Sequence, residues 1–196
     1  MSIFFTSDLH FGHRSILKLG NGRPFATVEE HDQQLIANWN KVVKPGDSVY
    51  VLGDVSLRGY PQYMRECVKQ LNGSKHLILG NHDKAKEHAS LLASNVWQSM
   101  RIYNTLKVNY NDKKVRIVMS HCPILEFDGA YRKDNFHLYG HIHERNRYEE
   151  LYQRLHFPAV HIGVDTSHTF PNTSAFSPIK LEDVITKVNN LFNLEI

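Results

Sequence analysis

Short apolar runs and stretches with helical spacing alternate along this chain. Runs of four or five mostly apolar residues, bounded by turn residues, predict the strands of a buried sheet. These runs cover residues 3–7, 48–52, 76–79, 106–110, 115–119, 136–139 and 160–164. Apolar residues spaced three and four apart predict helices over residues 27–43, 61–71, 84–93 and 177–192. Strands and helices in this order predict an α/β fold.

Turn and capping residues set the boundaries of these elements. The sequence Thr27-Val28-Glu29-Glu30 is a capping box that begins a helix, and Ser177-Pro178 is expected to begin the last one. Residues 111–114 predict a hairpin between two strands. The longest loops, residues 123–135 and 165–176, are the expected lids. With 196 residues and no repeat or linker, the chain is expected to form one domain over residues 1–196.

Composition excludes several classes of protein. The chain is 41% hydrophobic and 22% charged, which is ordinary for a globular domain. Its formal charge is +3, but no run of five or six like charges marks a DNA-binding arm or a membrane patch. Neither a signal peptide nor a membrane span is expected. The two cysteines, Cys67 and Cys122, are not expected to form a structural disulfide. Together these features predict a cytoplasmic protein.

Five short clusters of metal-ligand residues each follow a predicted strand. In an open α/β sheet, ligands bind beyond the ends of the strands. Asp8 and His10 are two positions apart, as are His141 and His143, so each pair would lie on one side of an extended chain. Carboxylates, imidazoles and an amide in these numbers suit two divalent ions. The clusters are Asp8-Leu9-His10, Gly53-Asp54, Gly80-Asn81-His82-Asp83, Ser120-His121 and Gly140-His141-Ile142-His143.

This series resembles the calcineurin-like metallophosphoesterase family, whose signature blocks it covers in order from residue 8 to residue 143. The resemblance implies a four-layer sandwich in which two packed mixed β-sheets are flanked by helices. It implies His82 as the catalytic histidine, near the leaving group and away from the metals. It implies one ion held by Asp8, His10, Asp54 and His143, and a second held by Asp54, Asn81, His121 and His141, with Asp54 bridging the two.

Two divalent ions per chain are therefore the expected cofactors. Mixed histidine, aspartate and asparagine ligands favour manganese first, with iron, nickel or zinc as alternatives. Two such ions bring four positive charges against the two negative charges of Asp8 and Asp54, so the site should attract a phosphate. The ions would also lower the pKa of a bound water towards neutrality. The predicted nucleophile is the resulting hydroxide, shared between the two metals.

Further candidates lie beside these blocks. Gly53-Asp54-Val55-Ser56-Leu57-Arg58-Gly59 is similar to a block of the serine/threonine protein phosphatases, which implies that Arg58 contacts the substrate phosphate. That block has an aspartate where this chain has Leu57, so either Asp83 orients His82 instead or no carboxylate does. His13 is a candidate for substrate contact, for a supporting hydrogen bond, or for an ordinary rim position. Basic residues near the blocks, Arg23 among them, could meet a phosphate, and the roles of His161 and His168 stay open.

Three functions fit these observations. The first is hydrolysis of a small phosphorylated substrate, nucleotide or cyclic nucleotide above all, with the choice between monoester and diester open. The second is a nuclease, although the family's nucleases carry additional DNA-binding parts and no sequence feature signals nucleic acid. The third is a non-catalytic scaffold of the same fold, a reading that the retention of His82 and every ligand disfavours. No membrane partner is expected, and the oligomeric state is open.

Overall fold

The strands in the described parts of the chain form two sheets, the first with five strands. The computed structural model describes residues 1–19, 22–57, 61–143 and 147–196. Neighbouring strands run in the order β4-β3-β2-β1-β9, and all pairs are parallel except β1 with β9. The strands are β1 (Ile3–Thr6), β2 (Ser48–Val51), β3 (Ser74–Ile78), β4 (Trp97–Arg101) and β9 (Ile179–Lys180).

The second sheet has four strands in the order β5-β6-β7-β8. Its first two strands form an antiparallel hairpin, and the other pairs are parallel. Asn111 and Asp112 form the turn of the hairpin, and both have left-handed conformations, with φ of 47° and 62°. A two-residue turn needs such conformations to match the twist of the strands that it joins. The strands are β5 (Tyr103–Tyr110), β6 (Lys113–Ser120), β7 (Asn135–Tyr139) and β8 (Ala159–His161).

Five α-helices and two short 3-10 helices lie within the described residues. The α-helices are α1 (Val28–Val42), α2 (Pro61–Lys69), α3 (Ala85–Ala93), α4 (Arg147–Arg154) and α5 (Leu181–Phe192). The 3-10 helices cover Arg14–Leu17 and Val164–Thr169.

Successive side chains of the strands separate the core into layers. Phe4 packs with Leu35 and Trp39 of α1, whereas its neighbour Phe5 packs with residues of the second sheet such as Leu138. This alternation is what places one sheet face against the helices and the other face against the second sheet. On the far side of the second sheet, Tyr152 of α4 joins a third cluster. The layers are therefore helices, sheet, sheet and helix, which confirms the predicted fold class.

Comparison with the predicted elements shows where the sequence misled. The pattern did not predict β4 or α4. The last helix begins at Leu181, because residues 179–180 pair with β1 as an edge strand and bury Ile179. The predicted lid over residues 165–176 is also wrong in its first part, since Asp165 lies buried in a 3-10 helix. The predicted helix start at Thr27 is confirmed, because its side chain accepts a hydrogen bond from the Glu30 backbone N–H. The Glu30 carboxylate accepts from the Ala26 N–H, one position earlier than a capping box requires.

Candidate metal centre

The five predicted ligand clusters meet at one edge of the two sheets. Each cluster lies just beyond the carboxyl end of a strand: β1, β2, β3, β6 or β7. Backbone hydrogen bonds tie these loops together, from Asp8 N–H to the Gly53 carbonyl and from His10 N–H to the Asp54 carbonyl. The Gly140 N–H donates in the same way to the His121 carbonyl, at 2.8 Å. The topology therefore brings together ligands that are far apart in sequence.

The backbone of the ligand loops is strained. Asp8, His10, Asp54, His141 and His143 all have positive φ, between 52° and 73°. Residues other than glycine avoid this region, and clusters of such residues are typical of functional sites. The prediction that Asp8 and His10 share one side of an extended strand is therefore wrong, and so is the same prediction for His141 and His143. Left-handed turns beyond the strands, and not strand alternation, direct these side chains.

Close packing around Asp54 explains two of the glycines. A side chain at Gly53 would lie 2.5 Å from the Gly80 backbone nitrogen and 2.7 Å from His121 Nδ1. A side chain at Gly80 would collide with the Asp54 carboxylate and backbone nitrogen. Only hydrogen fits at either position, so the glycines let two ligand loops approach closely.

One group of candidate ligands is formed by Asp8, His10 and His143. One ligand atom from each of the three lies within 4.8 Å of the other two. The His10 and His143 rings stack with their centroids 5.1 Å apart. His10 Nε2 is buried and has no hydrogen-bond partner among the described residues. A buried ring nitrogen without a partner is costly unless a ligand such as a cation satisfies it.

A second group surrounds Asp54 and Asn81. Ligand atoms of Asp8, Asp54 and His121 lie within 4.8 Å of one another. Asn81 Oδ1 lies 2.9 Å from His121 Nε2 and 2.9 Å from His141 Nδ1. Asp54 Oδ2 lies 3.3 Å from His121 Nε2 and 3.8 Å from His10 Nε2. Asp54 thus stands between the two groups of ligands.

Hydrogen bonds at Nδ1 fix the orientation of two candidate ligand imidazoles, those of His121 and His143. His121 Nδ1 lies 2.7 Å from the Leu52 carbonyl, which can only accept a hydrogen bond. His143 Nδ1 lies 2.7 Å from Asp165 Oδ2. Both rings therefore carry hydrogen on Nδ1, which leaves Nε2 as the nitrogen that a metal would bind once it has released its proton. Neutral imidazoles, two carboxylates and an amide oxygen fit divalent transition-metal ions.

The electrostatics of the site favour positive charge. Burial acts to raise the pKa of Asp8, but His161, His121 and His143 together hold that pKa far below its usual range. Burial lowers the pKa of His121, but its hydrogen bond to Asp54 and the charge of Asp8 outweigh burial and raise the pKa to about 9. The buried Asp8 carboxylate therefore remains charged and draws positive charge towards itself, which is what a cation site requires.

A buried arginine that sequence reasoning misassigned supports this pocket. Arg23 is 4% exposed, so it does not wait for a substrate phosphate. All five of its N–H groups have acceptors: both Asp165 oxygens, the Asp8 and Leu9 carbonyls, and His31 Nε2. Asp165, which the sequence pattern did not single out, joins Arg23 to His143. Arg23 therefore fixes both the backbone at Asp8 and the carboxylate that orients His143.

Two further residues extend this support to the next loop. Arginine can only donate, so His31 Nε2 accepts from Arg23 at 2.7 Å and the hydrogen of His31 is on Nδ1. That nitrogen donates to Asp32 Oδ1 at 2.7 Å, and Asp32 Oδ2 accepts from the Gly12 backbone N–H at 2.8 Å. A continuous buried chain of hydrogen bonds thus encloses the loop that carries Asp8 and His10.

The three histidines whose roles were left open differ in burial: His161 and His13 are buried, and His168 is exposed. His161 is buried, with Nδ1 3.0 Å from Thr166 Oγ1 and Nε2 3.8 Å from Asp8 Oδ2. His161 therefore lies beside the Asp8 carboxylate inside the protein. His168, in contrast, is exposed. His13 is also buried, with Nδ1 3.2 Å from His10 Nδ1. Of the readings left open for His13, the supporting hydrogen bond agrees with this position.

The predicted catalytic residues have different surroundings. His82 is half-buried beside His10, with ring centroids 5.8 Å apart, and its backbone N–H donates to Asp54 Oδ1. Asp83 Oδ2 accepts from the backbone N–H groups of Asp54 and Gly80, and Oδ1 accepts from Val55 N–H. The sequence pattern makes the Asp83 carboxylate a candidate to orient the His82 ring. These bonds direct that carboxylate to the backbone of the ligand loops instead. Arg58, the predicted phosphate contact, lies outside the described residues.

Comparison with known proteins gives a family and several relatives. A sequence model of calcineurin-like phosphoesterases matches residues 1–110. An uncharacterised protein of Methanocaldococcus jannaschii is 44% identical over 103 residues, which is 52% of this chain and 58% of that protein. The chain thus spans little more than half the length of that relative. The gene 66 protein of mycobacteriophage L5 is 29% identical over 185 residues, covering 83% of this chain and 86% of the phage protein.

A solved structure is similar to this chain over nearly its whole length. The crystal structure of a protein of unknown function from Aquifex aeolicus superposes with a TM-score of 0.69. It covers 95% of this chain and 98% of its own at 23% identity, which supports the fold alone. Among the helices in the described parts of the chain, none is long and apolar enough to cross a membrane.

Proposed function

The chain belongs to the calcineurin-like phosphoesterase family, and from this premise we propose that it hydrolyses a phosphoric ester with two divalent metal ions. The observation that carries the proposal is the position of Asp54. Its Oδ2 atom lies 3.8 Å from His10 Nε2 in one ligand group and 3.3 Å from His121 Nε2 in the other. A carboxylate in this position can serve both groups at once.

The ligand sets follow the family pattern. When bound, two divalent ions would supply Lewis-acid stabilisation of phosphate charge and a lowered pKa for water. Asp8 and Asp54 contribute two negative charges to the pocket, so a pocket loaded with two divalent ions remains positive and attracts a phosphate. The residues proposed to hold the ions are Asp8, His10, Asp54 and His143 in one set, and Asp54, Asn81, His121 and His141 in the other.

His82 is the proposed proton donor to the leaving oxygen. Its backbone N–H holds Asp54 Oδ1 at 2.9 Å, so the residue is anchored beside the ligands without giving its ring to them. The ring packs edge-on to His10 and is only half-buried, which leaves it accessible to a substrate. Asp83 contributes by holding the Asp54 and Gly80 backbones, and thereby the loops on which Asp54 and His82 lie.

We propose a small phosphorylated substrate, nucleotide or cyclic nucleotide, for this site. A panel of monoesters, diesters and cyclic nucleotides, assayed with manganese-loaded protein, tests both the activity and the substrate class. The Asp54→Asn variant provides the control, because it removes the shared negative charge and keeps the shape. Release of phosphate or cleavage of a diester that Asp54→Asn loses would support the proposal. Turnover within about tenfold of wild type in that variant would contradict it.

One observation favours a nuclease as the second candidate. A cavity of about 640 Å³ lies beside the β5–β6 hairpin. Lys107 stands directly opposite Arg116 in the antiparallel register, and Lys114 and Arg132 also line this cavity. Asp128 already pairs with Arg116, and Asp134 pairs with Arg132. Lys107 and Lys114 are therefore the cations proposed to meet a nucleic-acid backbone. A single-stranded oligonucleotide that binds with steep salt dependence, and less tightly to Lys107→Glu, would favour this candidate.

A further inference from the structure

We infer that Cys122 is an additional ligand of the second metal position and makes that position selective for soft divalent ions such as zinc. The inference rests on the proposed function, because it assumes that His121 and His141 hold an ion. The Cys122 sulfur and one ring nitrogen from each of these histidines lie within 4.8 Å of one another. Three side chains with strong metal-ligand chemistry thus form a cluster at the mouth of the pocket.

The chain geometry brings the sulfur to the open side of this cluster. Strand β6 ends at Ser120, whose hydroxyl donates to the Cys122 carbonyl at 2.7 Å and turns the chain. His121 then lies buried, whereas Cys122 and His141 are exposed. The thiol therefore approaches the two imidazoles from the side that solvent and substrate share.

A separate observation indicates that a cation belongs in this pocket. His10 Nε2 is buried, with the residue 2% exposed, and has no hydrogen-bond partner within the described parts of the chain. It faces Asp54 Oδ2 at 3.8 Å, and Asp54 in turn lies 3.3 Å from His121. The unsatisfied nitrogen and the cysteine cluster thus share one carboxylate.

The distances suit a sulfur ligand. Zinc binds sulfur at about 2.3 Å and imidazole nitrogen at about 2.0–2.1 Å, so two such ligands of one ion lie at most about 4.4 Å apart. The separation of the three ligand atoms, within 4.8 Å, needs only a small rotation of side chains to reach this range. On binding, the S–H bond breaks, a sulfur–metal bond forms, and the proton passes to solvent.

Metal identity would then decide whether the cysteine binds. Thiolate is a soft ligand that zinc and cobalt accept, whereas manganese prefers oxygen and nitrogen. A sulfur bound on the open side would occupy a position that the substrate phosphate needs. Zinc binds nitrogen and oxygen ligands more tightly than manganese in any case. We therefore expect Cys122 to widen this difference in affinity while zinc supports slower hydrolysis, and the loss of Cys122 to lessen both effects.

Cobalt is the probe that tests the inference directly. Metal-free wild type, Cys122→Ser and Cys67→Ala are titrated with Co²⁺ and followed by absorbance and by metal content. Cys67 is a matched control because it is the other cysteine and lies buried in α2. We expect a sulfur-to-cobalt charge-transfer band in wild type and in Cys67→Ala, and its loss in Cys122→Ser. Competition titration should show zinc affinity falling about 10–100-fold in Cys122→Ser, with manganese affinity unchanged.

The outcomes separate this inference from the proposed function. Two cobalt ions bound to wild type without a sulfur band would overturn the role of Cys122 and leave the two-metal proposal intact. A band that persists in Cys122→Ser would overturn it as well. Failure of wild type to bind cobalt at all would instead contradict the proposed function on which the inference rests.

Discussion

Replacing Asp165 with asparagine would test how the buried charges of Arg23 and Asp165 position the candidate metal ligand His143. Asp165 accepts from Arg23 Nε at 2.8 Å and Arg23 Nη2 at 3.0 Å, and from His143 Nδ1 at 2.7 Å. Breaking a buried ion pair by removing one charge costs about 3–5 kcal/mol of unfolding free energy. Loss of the carboxylate that orients a metal-ligating histidine lowers metal affinity about 10–100-fold. The Asp165→Asn variant should show both effects.

The assay pairs thermal unfolding in chelator with calorimetric titration of Mn²⁺. Asp112→Asn, the same chemical change at an exposed hairpin turn, is the matched control and should leave both quantities unaltered. Manganese affinity within about twofold of wild type in Asp165→Asn would refute the reasoning, because the supporting hydrogen bond would then be dispensable.

A double variant separates positioning from stability. Arg23→Met with Asp165→Leu removes both buried charges, and an apolar replacement of a buried ion pair is often neutral for stability. Part of the lost stability should therefore return, while the Asp8 and Leu9 carbonyls remain without their Arg23 donors. Metal affinity should stay low, because His143 still lacks its acceptor. If affinity recovers together with stability, the network is merely structural.

Three further predictions concern single residues. Gly80→Ala should abolish metal binding in calorimetry, because the added carbon meets the Asp54 carboxylate, whereas Gly46→Ala, with nothing within 4 Å, should bind as wild type; binding by both would contradict the packing argument. His82→Ala should keep both metals but lose roughly 10²–10⁴-fold in rate on a nucleotide ester and far less on a nitrophenyl ester; equal losses would exclude proton donation. Burial lowers the pKa of His137 to about 4, although a hydrogen bond to the Val118 carbonyl acts in the opposite direction. As the pH falls, the unfolded chain therefore binds a proton at this residue before the folded chain does, and the free energy of unfolding should decrease between about pH 6.5 and pH 4. His137→Leu should lessen the difference in melting temperature between pH 7 and pH 5, and an unchanged difference would contradict this assignment.

Local sequence patterns were enough to predict the frame of the fold. Apolar runs gave most of the strands because buried strands exclude polar residues over four or five positions. The pattern missed β4, whose sequence from Trp97 to Arg101 mixes polar and apolar residues, and α4, which has a polar sequence. It also missed β9, because two residues that pair only with β1 leave no periodic signal.

The candidate metal ligands were predictable for a different reason than the residues that support them. Asp8, His10 and the other candidate ligands belong to short motifs that follow strand ends, and the topology alone makes such ends converge. Arg23, Asp165 and His161 lie in no motif, and their contacts with the pocket span up to 153 positions along the chain. Only the folded chain shows that a guanidinium with all five donors occupied is a structural group and not a phosphate ligand.

Two divalent ions are proposed to act together in one pocket. Titration of metal-free protein with Mn²⁺, with bound metal and phosphoester hydrolysis measured in the same samples, is the decisive test of this proposal. We expect two ions per chain in the wild type, a rate that rises as the second ion binds, and no hydrolysis by Asp54→Asn. Full turnover in the presence of chelator, or full activity with a single ion bound per chain, would contradict it.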